Sequence, residues 1–433
     1  MVAYDGLDEI GVQQMTWRHE MKRLLAFALA LITTPLAFSD DWTQWRGPER
    51  DGISKETGLS DKWPANGPAL VWKTGQLGTG YSSPAIADGQ IYLQTTRGSE
   101  EFTIALDEKT GKQIWSSKIG TVGPNRGPQY PGSRSTATVD GELVFCLSSN
   151  GELTCLNTVD GKVVWEKQLR SEFGGRVGSW AYSESVLVDG DVLVCTPGGS
   201  NANLAALNKT TGELVWKSSG PDAGAAEYAS IMVVGDGTEK QYMQFLQKGL
   251  VGVDAKSGKQ LWQYNRTAGQ ANILTPIVAE NRIFTSGSRT GGAGLELQQT
   301  GGDVQAKEFF FNPSLTPSIG GAVLVEGYLF GTSRTGIFCA EFATGKIAWQ
   351  SRDIGAASIC SADGKLYVRE HRSGDVVLVA ATNQGFRELG RLKQPDRSKI
   401  SAWPHPVIAN GKLYLRDQDV LLCYDITKPK QLP

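Results

Sequence analysis

The sequence predicts an all-β chain, an eight-bladed β-propeller of four-stranded antiparallel blades closed by an N-terminal strand that completes the last blade. Three observations carry this. A phrase recurs: "ALDEKTGKQIW" (105–115), "CLNTVDGKVVW" (155–165), "ALNKTTGELVW" (206–216), "GVDAKSGKQLW" (252–262) and "AEFATGKIAW" (340–349). Its tryptophans Trp115, Trp165, Trp216 and Trp262 stand 50, 51 and 46 residues apart, a period of propeller blades and not of helical arrays. Glycine is 52 of 433 residues, well above the usual ~7%, and no long 3.6-residue periodicity competes with short strands joined by tight turns.

Each unit reads in one order. A strand precedes a Asp-Gly-type turn, as in "PAIADGQIYLQTT" (84–96); a second turn follows, then a strand ending Ala-Leu-Asp, a Thr-Gly turn, and a strand ending in Trp. In the Thr-Gly turn Asp107, Asn157, Asn208 and Asp254 accept hydrogen bonds from nearby backbone N–H groups, and the Gly takes positive φ. The tryptophans, with Trp72 and Trp349, are structural: each ring wedges between blades, and its N–H needs a fixed acceptor.

Units five (276–311) and seven (358–389) are degraded, and "GAGLELQQTGG" (292–302) reads as a loose hairpin insertion. Unit eight, 406–429, runs out after three strands, while "PALVWKTG" (68–75) supplies Trp72 with nothing before it. Joining these fragments removes two free sheet edges. Residues 40–433 then form one domain of eight blades.

Net charge is −2 with no concentrated basic run, which argues against a nucleic-acid partner. "MKRLLAFALALITTPLAFSDDW" opens at Met21, read as the true start. Its basic, apolar and small-residue regions predict a signal peptide cleaved before Asp40 and a periplasmic or secreted protein. The mature chain then has no transmembrane segment and no anchoring Cys, and it is expected to be a monomer. Export permits disulfides. A two-residue Asn150-Gly151 turn in "CLSSNGELTC" sets Cys146 opposite Cys155, within bridging reach. The other four cysteines read as small buried hydrophobes.

The A-x-D-x-x-[TS]-G-x-x-x-W pattern resembles the tryptophan-docking repeat of quinoprotein dehydrogenases, the pyrroloquinoline-quinone (PQQ) repeat. "DWTQWRGPERDG" (41–52) is similar to the lead-in of secreted PQQ-like propellers of planctomycete-type bacteria. The same repeat occurs in quinoprotein alcohol dehydrogenases and in the non-enzymatic outer-membrane assembly factor BamB. The resemblance implies the propeller fold and raises two functions. One is a PQQ-dependent alcohol or sugar dehydrogenase, with PQQ and Ca²⁺ on the propeller axis. The other is a binding scaffold. The dehydrogenases stack PQQ between a Trp and a disulfide of neighbouring cysteines. No two cysteines are neighbours here, and no haem-attachment motif follows. BamB-like proteins are usually lipid-anchored, and the anchoring Cys is missing as well.

Strand order places any site. In a four-stranded meander the docking turns share one face of the disc, and the blade-to-blade links share the other with the second turns. These links are rich in Tyr, Trp, Arg, Glu and His. They nominate a ligand mouth of Tyr81, Arg134, Trp180, Tyr182, Tyr228, Asn272, Trp403 and His405, with Glu227 as metal ligand or general base. Trp180 or Trp403 offers a floor for a planar ligand, and the arginines offer bidentate contacts to carboxylates. The second turns add Arg97, Lys248, Arg289, Arg334, His371 and Arg372. The plainer reading is that these residues plug and hydrate the channel of a scaffold. Only His371 and His405 follow Asp40, so a multi-His metal site is excluded. The sequence thus favours a ligand- or protein-binding module, with the dehydrogenase and a polysaccharide-binding propeller as alternatives.

Overall fold

Every blade of the computed structural model is a meander of short, mostly buried strands, because alternating apolar residues between Gly-rich turns leave each sheet two faces to cover. The model describes residues 1–2, 41–125, 130, 132–218, 220–319 and 321–429; the predicted start, signal peptide and cleavage site lie outside them. Blade 1 is Ala85–Ala87, Gln90–Arg97, Glu100–Asp107 and Gln113–Thr121, paired antiparallel in that order from the axis outward. Blades 2 to 7 repeat this order, and their inner strands begin at Thr138, Leu187, Met232, Ile277, Ala322 and Ala357. Blade 8 has Val407–Ala409, Lys412–Asp417 and Val420–Asp425, and its outer strand is Ala69–Thr74 from the N-terminal side. The predicted closure is therefore the observed one.

The repeated phrase builds the contact between blades. Trp72 donates its indole N–H to Glu108 O (3.0 Å), Trp115 to Thr158 O (2.9 Å), Trp165 to Lys209 O (2.9 Å) and Trp216 to Ala255 O (3.1 Å), each in the docking turn of the next blade. The turn glycines show why no side chain is tolerated. A Cβ on Gly111, Gly161, Gly212 or Gly258 stands 2.4–2.8 Å from the docked ring, at φ between 67° and 71°. All eight outer strands also carry a one-residue register shift beside this position. Such a bulge re-aims a side chain and increases twist. The residue it skips in four successive blades, Val71, Ile114, Val164 and Val215, is left exposed.

The degraded units keep the bulge and change the ring. In blade 5 Phe310 replaces Trp and lies 2.3 Å from where a Cβ of Gly345 would stand. "GAGLELQQTGG" is not loose: the ten-residue strands Gly291–Thr300 and Asp303–Asn312 form nine residue pairs around a Gly301-Gly302 turn. That extension removes the usual docking turn, and Trp262 bonds instead to Gln241 Oε1 of its own blade (2.7 Å). In blade 7 the Trp position is Gly390, and Trp63 from the N-terminal side packs into it. The Trp63 backbone N–H, not its indole, bonds to Leu389 O (3.1 Å), and its ring lies 5.8 Å from that of Tyr367. Trp72–Tyr414 and Trp115–Tyr92 repeat the same spacing at 6.1 and 5.9 Å. The eighth docking ring is thus supplied from outside its blade.

The predicted Cys146–Cys155 pairing fails by one residue. The loop is Ser149-Asn150-Gly151, not two residues, so Leu147 pairs with Leu153, Cys146 with Thr154, and Phe145 with Cys155. A one-residue slip turns side chains to opposite faces. Ser148 sets the longer loop, its Oγ accepting from the Gly151 and Glu152 N–H groups (3.2 and 3.0 Å). Buried Glu101 holds Ser149 N–H at 3.0 Å. All six cysteines are free and buried.

Trp165→Ala is expected to cost about 3–5 kcal/mol, and Trp165→Phe, which loses chiefly the N–H bond, about 1 kcal/mol, read by urea unfolding. Dithiothreitol is expected to leave the midpoint of the parent chain unchanged.

Candidate functional site

The links between blades meet on the face opposite the docking turns, where Thr79 bridges Thr96 beside the second turn of blade 1. Three aromatic side chains converge there. Trp403 lies 4.9 Å from Tyr81 and 4.5 Å from Tyr130, ring centre to centre. They stand beside a hollow of about 360 Å³ lined by Thr79, Tyr81, Tyr130, Lys399, Ile400, Ser401 and Gln418. A second pair, Trp180 and Tyr228, is 5.4 Å apart, with the Trp180 backbone N–H donating to the Tyr228 hydroxyl at 3.2 Å. Arg134 joins the two groups by donating to Trp180 O and Tyr130 O.

Several predicted site residues are committed to holding this face together. Arg134 braces two links through their carbonyls, so it is not the free carboxylate fork expected of it. Asn272 is fully buried, donating to Leu246 O (2.9 Å) and accepting from Gly269 N–H (2.9 Å). Glu227 accepts from Asn272 N–H (3.2 Å), and burial pushes its carboxyl up to about 7. Tyr182, expected at the mouth, is 1% exposed; it packs over Gly151 and donates to Pro197 O (2.9 Å). His405 is buried, its N–H bonded to Ser83 Oγ and its ring 4.7 Å from Trp45; burial lowers it to about 3. His371 is buried and lowered likewise, which leaves both rings neutral near pH 7. Arg97, Lys248, Arg289, Arg334 and Arg372 remain exposed in the second turns.

Sequence reasoning missed the axis. Residues 41–54 run inside the ring of inner strands. Trp42 exchanges two backbone bonds with Ile86 of blade 1 (2.9 Å each), and Thr43 O accepts from Val139 N–H of blade 2. Trp45 Nε1 donates to Thr275 Oγ1 before blade 5 (3.0 Å). Arg46 reaches Ala322 O of blade 6 (2.7 Å), and Arg50 reaches Ser185 O and Val186 O before blade 3 (2.6 and 3.1 Å). Ile53–Ser54 then adds a parallel strand to the inner edge of blade 7. Burial lowers Arg46 and Arg50 to about 10, so both stay charged. Fully buried Glu184 lies in the field of Arg50, and burial raises its carboxyl to about 7. Arg369 and Arg416, also fully buried, donate to Arg416 O (2.6 Å), Gln94 O and other backbone carbonyls. The signal was present in "DWTQWRGPERDG": two Trp and two Arg in a stretch with no strand pattern.

The axis does not fit PQQ with Ca²⁺. Ca²⁺ takes six to eight oxygen ligands. Around Arg46 and Arg50 the acceptors are backbone carbonyls and Gln44 Oε1, and Glu184 is the one carboxyl placed in the field of Arg50. No three His, Cys, Asp or Glu side chains converge among the described residues in a way that could hold a metal.

Fold and mouth together define an eight-bladed propeller of PQQ-type repeats. A family model described as "Outer membrane protein assembly factor BamB" matches residues 100–351, more than half of the chain, and the chain belongs to that family. It is 26% identical over 245 residues to the outer membrane protein assembly factor BamB of Yersinia pestis, covering 50% of this chain and 55% of that one. To methanol dehydrogenase [cytochrome c] subunit 1 of Methylorubrum extorquens it is 28% identical over 171 residues, covering 36% and 26%. It therefore spans about half or less of the length of these relatives. The quinohemoprotein alcohol dehydrogenase structure from Comamonas testosteroni shares the fold at a TM-score of 0.66 and 13% identity, over 91% of this chain and 82% of that one.

A carboxyl raised by burial binds its proton more tightly folded than unfolded, so its contribution falls as pH rises from the unfolded value, about 4.5, through the folded value, about 7. Glu227→Gln removes that loss. The variant is expected to gain stability relative to the parent over this window and level off above it, read by denaturant unfolding at pH 4.5, 6 and 8.

Proposed function

We propose that this chain is an exported, monomeric binding module whose mouth, on the face opposite the docking turns, holds a protein partner or a small ligand. One observation carries the reading. Arg134, Asn272 and Glu227 are spent on fixing the links to one another, and Tyr130, Trp180, Tyr228 and Trp403 are left as half-buried aromatic surfaces, the first and last of them beside an open hollow that buried Tyr81 also lines. Rigid aromatic anchors lose little entropy on binding, and they are the side chains that dominate interface energy. Arg134, Asn272 and Glu227 act here as positioning residues, not as an acid–base set. The name of the Yersinia pestis relative, an outer membrane protein assembly factor, agrees with a partner-binding role at the cell envelope. Among the described residues no helix is long and apolar enough to cross a membrane.

The test uses immobilised mature protein to retain partners from the envelope fraction of the source cells. Tyr81→Ala/Trp403→Ala is compared with an opposite-face control, Lys109→Ala/Lys256→Ala. Retention of one partner by the parent and the control, reduced at least tenfold in the mouth variant, supports the reading. Equal retention by all three contradicts it.

A further inference from the structure

We propose that the N-terminal segment from Trp42 to Thr74 is a permanent strap whose first part is the occupant of the propeller axis. The molecule then binds at its mouth and rim but not along its axis. Three attachments carry this. On the axis, residues 42–54 bond to blades 1, 2, 3, 5, 6 and 7, through main-chain pairing at Trp42 and Ile53 and through the buried guanidinium groups of Arg46 and Arg50. Glu56 then accepts from Gly411 N–H of blade 8 (2.7 Å). At the rim, Trp63 fills the docking position that Gly390 leaves empty in blade 7. At the edge, Ala69–Thr74 completes blade 8. Inner strands of a propeller expose unpaired N–H and C=O groups to the channel, and buried backbone groups must be paired. The strap pairs several of them with its own backbone and side chains.

The strap also explains the chemistry of its sequence. Arg46 donates to the carbonyls of Arg50, Asp51 and Ala322, and Arg50 donates to those of Ser185 and Val186 and to Gln44 Oε1, with the Glu184 carboxyl in its field. Gly47 and Gly52 take φ of 86° and 81° where the chain turns, and a Cβ on Gly52 stands 2.9 Å from the Arg46 guanidinium. Trp45 brings this segment to the level of the mouth, against His405 and Thr275. A partner seated on the mouth therefore rests on a floor that the strap supplies. A ligand on the axis would have to displace two buried cations and their carbonyl partners together.

Native-state hydrogen exchange on the full mature chain tests this. The Trp42 amide, bonded to Ile86 O, and the amides of Ile86 and Ser361, bonded to Trp42 O and Gly52 O, are expected to exchange as slowly as the inner-strand amides of blade 4, within about threefold. An axial segment exchanging more than tenfold faster than those strands would overturn the proposal, since it would then be a detachable arm. In Arg50→Ala, exchange over residues 41–54 is expected to quicken at least tenfold, while the outer strands around Trp115 and Trp165 keep their protection. Unchanged protection over 41–54 in that variant would show that Arg50 does not hold the strap.

Discussion

The structure depends on one contact repeated around a circle: an indole ring laid on the turn glycine of the next blade, its N–H on a carbonyl of that turn. A single blade is a small sheet with two faces to bury and cannot do so alone. The docked ring covers apolar surface on both sides of each blade boundary and fixes the distance between sheets through one directed hydrogen bond. Because the bond ends on a backbone carbonyl, the partner side chains are free to vary: Glu108, Thr158, Lys209 and Ala255 serve equally. At these four boundaries the residue beneath the ring is a glycine each time, Gly111, Gly161, Gly212 and Gly258.

Where that contact is broken the chain compensates, and each compensation has a visible cause. Blade 5 loses its docking turn to a long hairpin, and Trp262 finds an acceptor inside its own blade. Blade 7 loses its ring, and Trp63 enters from the strap. Blade 8 lacks a strand, and Ala69–Thr74 provides it. The same strap fills the axis, which leaves the mouth and the rim as the surfaces on which a partner can act. An assembly factor and a dehydrogenase are both among the proteins this chain is similar to, so the repeat itself does not distinguish chemistry from binding. The contents of the axis do.

The fold was legible because its signals are local and periodic: a turn glycine and a ring, repeated about every 49 residues. Closure by Trp72 was legible because two fragments lacked each other. The Cys146–Cys155 pairing was misread because Asn150-Gly151 suggests a two-residue turn, and nothing local announces that Ser148 and Glu101 hold one residue more. The candidate site was half legible. Link composition gave Tyr81, Trp180, Tyr228 and Trp403, but not that Arg134 is spent on carbonyls or that Tyr182 points into the core. The axial strap and the role of Trp63 depend on contacts hundreds of residues apart, as with Arg46 and Ala322, and no short-range pattern encodes them.

Calorimetric titration of the purified mature protein with PQQ in excess Ca²⁺ tests the central claim most directly. With residues 41–54 seated among the inner strands, only the heat of dilution is predicted. A saturable one-to-one binding isotherm would contradict the account, because it would require an axial site that these residues now fill.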